Sequence, residues 1–170
     1  MQKKLLNSFI IAVFILFSRQ SLAIESLAKT ALVIDLSTNE VLLEKNSKVK
    51  TYPSSMTKMM TALVAFEKIK NGTLSLDQEF LISKKAWKMG GSKMFIEVDK
   101  RVKVYDLLLG VIVQSGNDAS IALAEGISGS EEIFAIEMNN LGKKIGLKGT
   151  NFTNSSGWPD DNHYTTAEDL

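Results

Sequence analysis

Apolar residues recur at helical spacing along residues 53–70, which form the clearest helix that the sequence predicts. Met59, Leu63 and Phe66 are among the apolar positions of this stretch. Pro53 suits the first turn of a helix because that turn needs no amide donor there, and Asn71 with Gly72 stops the pattern. We therefore predict one amphipathic helix over this segment.

Shorter hydrophobic patterns before and after this helix predict further strands and helices. Two β-rich runs, at 30–35 and 40–44, are joined by turn-forming residues and predict a β-hairpin. Further elements are predicted as strands at 79–82 and 93–98, a helical turn at 86–89, and buried helices at 104–114 and 118–127. The sequence thus predicts an α+β fold, in which a helical lobe at about 53–147 lies against a sheet represented only by its first hairpin.

The first 23 residues have the pattern of a secretory signal peptide. Lys3 and Lys4 precede an almost uninterrupted apolar run at 5–17, and the small residues Ser21 and Ala23 favour cleavage after Ala23. The apolar run is too short to span a bilayer comfortably, although an uncleaved anchor is the alternative. We predict an exported protein whose mature part is residues 24–170.

The composition of the mature part limits the partners and the kinds of site that we expect. Without residues 1–23, which contain three basic residues and no acid, 17 basic and 19 acidic residues remain. This slightly acidic chain has no basic patch with interleaved aromatic residues, so we expect no nucleic-acid partner. The chain has no cysteine and one histidine, His163. Disulfides and the usual zinc sites are therefore excluded, and no metal or cofactor is predicted.

The spacing Ser-x-x-Lys occurs three times, beginning at Ser26, Ser47 and Ser55. Only the third occurrence opens an apolar helix that can bury its lysine, Lys58. Helical side chains three positions apart have Cβ atoms about 5–6 Å apart, so the amine can reach the serine oxygen. To act as a base near neutrality, a lysine must lose about 3.4 units from a pKa of about 10.4, which requires burial. The alternative is that Ser55 merely starts a helix and Lys58 is a surface charge.

Ser115 and Asn117 lie on the Gly-containing turn between the two predicted buried helices. A hydroxyl and an amide held on such a turn can point together into a cleft, where they would form a second candidate site motif. Helix capping is the alternative explanation, with Asp118 or Asn117 as the cap of the second helix.

Three segments together resemble the D-alanyl-D-alanine carboxypeptidases, the low-molecular-weight penicillin-binding proteins. They are residues 53–61 with Ser-x-x-Lys, 109–119 with Ser-Gly-Asn, and 147–152 followed by the His-Tyr-Thr-Thr-Ala of 163–167. The resemblance covers essentially all of the mature chain. It implies the transpeptidase fold that penicillin-binding proteins share with serine β-lactamases. It also implies a location in the periplasm or on the outer face of the cytoplasmic membrane.

By this resemblance, Ser55 attacks the carbonyl between the two terminal D-alanines of a peptidoglycan stem peptide, and Lys58 takes its proton. Ser115 relays a proton toward the leaving amine, and Asn117 holds the substrate amide and the lysine side. The Ser55 amide supplies half of an oxyanion hole. The implied partners are the stem peptide and β-lactam antibiotics, with membrane association only through segments outside these residues.

One motif of the family is missing from the sequence. Neither Lys-Thr-Gly, Lys-Ser-Gly nor His-Thr-Gly occurs, and residues 148–150 have the letters in another order. Thr165 and Glu168 have capping-box spacing, as at the start of a helix whose body is absent, so we expect a truncated domain.

Three alternatives to an active carboxypeptidase stay open. A truncated, catalytically inactive wall-binding protein would keep the cleft but not the chemistry. A serine β-lactamase is disfavoured, because no Glu-x-x-Leu-Asn segment follows Asn117. A generic exported helical domain would require the match of all three segments to be coincidence.

Overall fold

The computed structural model describes residues 26–170, so the predicted signal peptide at 1–23 lies outside the described residues. The chain divides into two compact units between Lys45 and Asn46. The first unit contains strands β1 (Ala31–Asp35) and β2 (Glu40–Lys45). The elements of the second unit are a 3-10 turn (Ser54–Met56), α1 (Thr57–Lys70), β3 (Glu79–Leu81), α2 (Lys84–Lys88), β4 (Arg101–Lys103), α3 (Val104–Ile112), α4 (Asn117–Ser128) and α5 (Glu131–Ile145).

The predicted β-hairpin is confirmed. Strands β1 and β2 pair antiparallel, with a register shift after Val33. The Asp35 carboxylate accepts a hydrogen bond from the amide of Ser37 at 2.8 Å, and Asn39 adopts φ +58°. A short polar side chain that bonds its own backbone, followed by a residue that tolerates the left-handed region, is what a tight reversal requires.

The predicted long helix is confirmed, although its first turn differs from the prediction. Residues Ser54–Met56 form a 3-10 turn, and the α-helix α1 begins only at Thr57. The candidate nucleophile Ser55 therefore lies just before the α-helix. The helix ends at Lys70 with Asn71 as its C-cap, and Gly72 turns the chain away with φ +79°.

Helix α5, the longest within residues 26–170, has termini that its sequence explains. The Ser130 hydroxyl accepts a hydrogen bond from the amide of Ile133, and two acidic residues occupy the first turn. Two lysines lie in the last turn, and Gly146 ends the helix with φ +98°. Each of these features complements the helix dipole or its unpaired backbone groups.

Helix α1 packs against α3, α4 and α5, and the core of the second unit forms around it. One apolar cluster lies between α1, α3, α4 and β3, and its fully buried members include Ile82, Leu107, Ile121 and Leu123. A second cluster lies between α1 and α5, with Met60, Val64, Phe134, Met138 and Phe152. Within residues 26–170, no helix has the length and apolar character needed to cross a membrane.

The strand predicted at 93–98 is wrong. The strand that pairs with β3 is β4, in which Val102 lies opposite Phe80. The amides of Met94, Phe95 and Ile96 instead donate to the buried carboxylate of Asp118. Phe95 also adopts φ +64°, which no regular strand contains. The carboxylate of Asp118, which is distant in the sequence, therefore binds the amides that a neighbouring strand was expected to bind. The mixture of helices and strands confirms the α+β class.

Candidate active site

The Lys58 amine lies at the centre of the candidate site and is surrounded by three oxygen atoms. Its Nζ lies 2.7 Å from the carbonyl oxygen of Ser156, 2.8 Å from the side-chain oxygen of Asn117 and 3.3 Å from Oγ of Ser55. An ammonium group has three donors, so all three are used when Lys58 is charged. Three of the four predicted site residues are thus in contact.

Burial changes the acidity of Lys58. Only 4% of the residue is exposed, although its partner Ser55 is exposed. Removal from water lowers the pKa of Lys58 from 10.5 to about 8. No carboxylate among the described residues forms an ion pair with this amine to oppose that effect. Roughly a tenth of the amine is then neutral at pH 7.

The turn that carries Ser55 is held in an unusual backbone conformation. Ser54 has φ +48°, in the left-handed region that non-glycine residues rarely adopt. Its carbonyl group lies against the α-carbon of Gly157, so closely that a side chain at Gly157 would collide with it. Gly157 itself has φ +81°. Strained backbone that the surroundings hold in place is common at functional sites, at a cost of about 1–3 kcal/mol.

Asn117 reaches Lys58 from the first turn of α4. Its side-chain nitrogen donates to the carbonyl of Gly90 at 2.8 Å, and its backbone amide donates to the carbonyl of Ser92 at 2.7 Å. Gly91 lies against the Asn117 amide group, where a β-carbon would come within 2.7 Å of the nitrogen. The segment 90–92 therefore fixes the Asn117 amide so that its oxygen faces Lys58.

Asp118 does not cap α4 in the predicted manner, and the cap residue is Gly116. The Asp118 carboxylate is fully buried and accepts amides from the 94–96 segment at 2.9–3.3 Å, and from Ala119 at 2.9 Å. Several backbone donors satisfy a buried carboxylate without a cationic partner. Asp118 thus connects the start of α4, which carries Asn117, to the neighbouring loop.

The fourth predicted residue, Ser115, is not joined to the other three by a hydrogen bond. It is half-buried, has φ +53°, and its hydroxyl has no hydrogen-bond partner among the described residues. Ser115 therefore resembles Ser54 in its strained backbone conformation.

The segment 155–157 contributes contacts that the sequence did not predict. The carbonyl of Ser155 accepts the hydroxyl of Thr61 at 2.6 Å, one helical turn after Lys58. The Ser155 hydroxyl donates to Glu131 at 2.7 Å, which attaches the segment to α5. Backbone carbonyls have no side-chain signature, and the only available signal was a glycine that directly follows two serines.

The described residues contain no group of three or more His, Asp or Glu side chains that could hold a metal ion. The candidate site brings together a serine hydroxyl, an amine of lowered pKa and an amide. An exposed hydroxyl beside a buried amine is the arrangement of an activated nucleophile.

Comparisons with known proteins identify the family of this chain. The sequence profile of the Peptidase_S11 family, described as D-alanyl-D-alanine carboxypeptidase, matches residues 17–170. The D-alanyl-D-alanine carboxypeptidase DacF of Bacillus subtilis (strain 168) is 39% identical over 180 residues, which cover 99% of this chain and 46% of that protein.

Two crystal structures share the fold. The D-alanyl-D-alanine carboxypeptidase DacD from Francisella tularensis has a TM-score of 0.82 and 42% identity, over 86% of this chain and 36% of that one. Penicillin binding protein 5 from Haemophilus influenzae has a TM-score of 0.82 and 40% identity, over 86% of this chain and 43% of that one. The predicted penicillin-binding protein fold is confirmed for the part of the fold that this chain covers. The chain belongs to the D-alanyl-D-alanine carboxypeptidase family, and it spans less than half the length of these three relatives.

Proposed function

We propose that this chain carries the nucleophile and base of an exported serine-type D-alanyl-D-alanine carboxypeptidase. The enzyme removes the terminal D-alanine of peptidoglycan stem peptides through an acyl-enzyme on Ser55. One observation carries the proposal: the exposed Ser55 hydroxyl lies 3.3 Å from the buried amine of Lys58, whose pKa burial lowers to about 8.

The neighbours of Lys58 favour proton transfer in one direction. A neutral amine has two donors and one lone pair. The two shorter contacts, to the Ser156 carbonyl and the Asn117 side-chain oxygen, can be satisfied only by donors, because neither oxygen carries a hydrogen. The lone pair then faces the Ser55 hydroxyl, which makes Lys58 the general base that receives its proton.

In the first half-reaction, Ser55 Oγ attacks the carbonyl carbon of the last peptide bond, and its proton passes to Lys58. The bond from that carbon to the nitrogen of the leaving D-alanine breaks, and the nitrogen receives a proton through the half-buried Ser115 hydroxyl. The Ser55 amide provides half of the oxyanion hole. Water then hydrolyses the ester and restores Ser55.

Asn117 has two roles in this proposal. Its side-chain oxygen holds Lys58. By the family resemblance, the same amide group also binds the substrate backbone. A β-lactam presents a strained amide to the same hydroxyl, so Ser55 opens the ring and keeps the acyl group. Stem peptides and β-lactams are therefore the proposed partners.

The proposed location follows from the first 23 residues and from the substrate. A signal peptide exports the chain, and peptidoglycan lies outside the cytoplasmic membrane. We infer that the protein acts in the periplasm or on the outer face of that membrane, with residues 24–170 forming the N-terminal part of its catalytic domain.

A second candidate function is binding without catalysis. In this alternative, the chain is an inactive wall-binding protein that keeps the cleft. The two candidates differ in whether Ser55 forms a covalent bond.

Intact-mass measurement of residues 24–170 after incubation with benzylpenicillin tests the proposal. Opening of a β-lactam ring loses no atoms, so we expect a single gain equal to the whole penicillin. Ser55→Ala should abolish the gain. Ser26→Ala, which alters another Ser-x-x-Lys occurrence, should retain it and serves as the matched control.

Circular dichroism and thermal unfolding of the same samples establish that each protein is folded. Absence of an adduct on the folded parent would refute the acyl-enzyme and leave the inactive binding protein. An adduct that persists in Ser55→Ala would show that another residue is the nucleophile.

A further inference from the structure

The one histidine of the chain is buried beside the candidate site, although the proposed reaction does not use it. His163 is 2% exposed, and its ring packs edge-on against Phe152, with ring centres 5.8 Å apart. One ring nitrogen, Nε2, lies 2.8 Å from the hydroxyl of Thr57. The other, Nδ1, lies 3.0 Å from the backbone nitrogen of Thr153. Both nitrogens of a buried ring are therefore committed to named partners.

These partners define the protonation state of the ring. A backbone N–H can only donate, so Nδ1 of His163 must accept from Thr153 and carries no hydrogen. A neutral ring then has its hydrogen on Nε2, which donates to the Thr57 hydroxyl. A second proton would have to enter at Nδ1, where it would displace the Thr153 amide and be donated instead to the Thr153 hydroxyl, 3.2 Å from Nδ1.

The position of Thr57 connects His163 to the candidate site. Thr57 lies between Ser55 and Lys58 in the sequence and is the first residue of α1. Thr153 starts the segment whose Ser156 carbonyl holds Lys58 at 2.7 Å. His163 thus bonds at one end to the helix that carries the base, and at the other end to the segment that orients the base.

We propose that His163, as the neutral Nε2–H tautomer, is a positioning residue that holds α1 and the 153–157 segment in the relative arrangement required for Ser55 acylation. This inference depends on the proposed function. It acts on the same hydroxyl and amine, through Thr57 rather than by contact with substrate.

Burial and nearby charged groups together determine how readily the His163 ring is protonated. Burial lowers the pKa of His163 below its usual 6.5, and it outweighs the opposing charges of Asp160, in the turn that precedes His163, and Glu131, on α5. Protonation of His163 should therefore occur only in acid, where it breaks the arrangement at Nδ1.

The test compares wild type, His163→Phe, His163→Gln, Thr57→Val and the His163→Phe/Thr57→Val double variant. Penicillin acylation rates are measured from pH 5 to pH 9, beside thermal unfolding. We expect His163→Phe and Thr57→Val each to slow acylation about tenfold, the factor corresponding to one good hydrogen bond. The double variant should be no slower than either single variant, because both remove the same connection.

His163→Gln provides the readout that a purely structural role would not move. Glutamine offers both an acceptor and a donor, so we expect it to recover part of the rate at pH 7. It cannot titrate, and it should therefore lose the additional acid limb that wild type shows below about pH 6.5, the usual pKa of histidine.

Three outcomes would count against the inference. A folded His163→Phe protein with the wild-type rate and pH profile would overturn it, while the proposed function would stand. Fully additive effects of His163→Phe and Thr57→Val would show that His163 does not act through Thr57. A folded wild-type protein that is not acylated would overturn the proposed function and this inference with it.

Discussion

The side-chain oxygen of Asn117 lies 2.8 Å from the Lys58 amine, although the two residues are 59 positions apart in the sequence. This contact joins the start of α4 to the first turn of α1. The acceptor is a neutral amide, so the contact satisfies a donor of Lys58 without the electrostatic stabilisation that a carboxylate would give to the charged form.

Replacement of Asn117 by aspartate tests this distinction. A carboxylate at that position would raise the pKa of Lys58 from about 8 toward the value of a solvated lysine. We expect the wild-type acylation rate to rise with pH and to level off above about 8, whereas Asn117→Asp should level off at least one unit higher. At pH 7 the variant should therefore be at least about tenfold slower.

Asn117→Leu is the matched control, because it also loses the bond to Gly90 but adds no charge. Acylation rates with a fluorescent penicillin from pH 6 to pH 10 would compare the profiles. An unchanged midpoint in Asn117→Asp would mean that Lys58 is not the group that controls the rate.

The lowered pKa of the buried Lys58 amine also predicts how the free energy of unfolding depends on pH. The unfolded chain keeps the Lys58 proton up to about pH 10.5, whereas the folded protein loses it near pH 8. Between these values the unfolded state binds more protons, so the free energy of unfolding rises with pH. The increase that Lys58 contributes should be about 3 kcal/mol over that range.

Urea unfolding of wild type and Lys58→Met from pH 7 to pH 10.5 would isolate this increase. Other groups titrate alike in both proteins, so only the difference between them reports on Lys58. A difference that stays constant over this range would show that the folded protein keeps the Lys58 proton.

The contact between Gly157 and Ser54 gives a third prediction. Gly157→Ala adds a β-carbon that collides with the Ser54 carbonyl, so the turn that carries Ser55 must move. We expect loss of penicillin acylation in a protein that still folds. Intact-mass measurement would detect the loss.

Gly129→Ala is the control for backbone strain alone. Gly129 has φ +82°, nearly the same as Gly157, but no atom lies within 4 Å of the position that a β-carbon would occupy there. It should lose about 1–2 kcal/mol of stability and retain acylation. Equal acylation by the two alanine variants would contradict the proposed role of the Gly157 contact.

Asp118 supports the fourth prediction. Asp118→Asn replaces one accepting oxygen by an amide donor that faces the backbone N–H groups of Met94, Phe95 and Ile96. We expect destabilisation of about 2–3 kcal/mol, because buried donors lose a charged acceptor. Urea unfolding would measure the loss, and hydrogen exchange should show faster exchange of the 94–96 amides.

The exposed Asp106, in the first turn of α3, provides a control. Asp106→Asn should change stability by less than about 1 kcal/mol, since it loses only weak, exposed interactions with the helix dipole and with the charge of Lys103. Similar losses in the two variants would show that the amide contacts of Asp118 contribute little.

Much of this fold could be predicted from local sequence patterns. The helix around Lys58 has strong apolar periodicity and a clear end, and its position favoured the third Ser-x-x-Lys over the other two. The strand predicted at 93–98 failed, because apolar residues alone cannot reveal that their amides bind Asp118. The local sequence pattern and a hydrogen-bond acceptor elsewhere in the chain can favour different conformations. Here the buried carboxylate of Asp118 determines the backbone conformation of residues 94–96.

The candidate site was predictable where side chains carry the chemistry. Ser55, Lys58 and Asn117 come together as their motifs suggested, whereas the carbonyl of Ser156 contributes through the backbone and had no signature in the sequence. The acidity of Lys58 could not be predicted either, because it depends on how completely distant segments exclude water. The catalytic roles of Ser55, Lys58 and Ser115 and the substrate-binding role of Asn117 remain predictions.

The neutral oxygens around Lys58 have a consequence for the response of the protein to ionic strength. Dissolved ions screen interactions between charges, with a Debye length of about 8 Å at 0.15 M and about 3 Å at 1 M. The exposed pair of Lys103 and Asp77, whose atoms lie 2.9 Å apart, should weaken as salt is added. The pKa of Lys58 is lowered by removal from water rather than by a neighbouring charge. The midpoint of its acylation profile should therefore stay near pH 8 in dilute buffer and in concentrated salt alike.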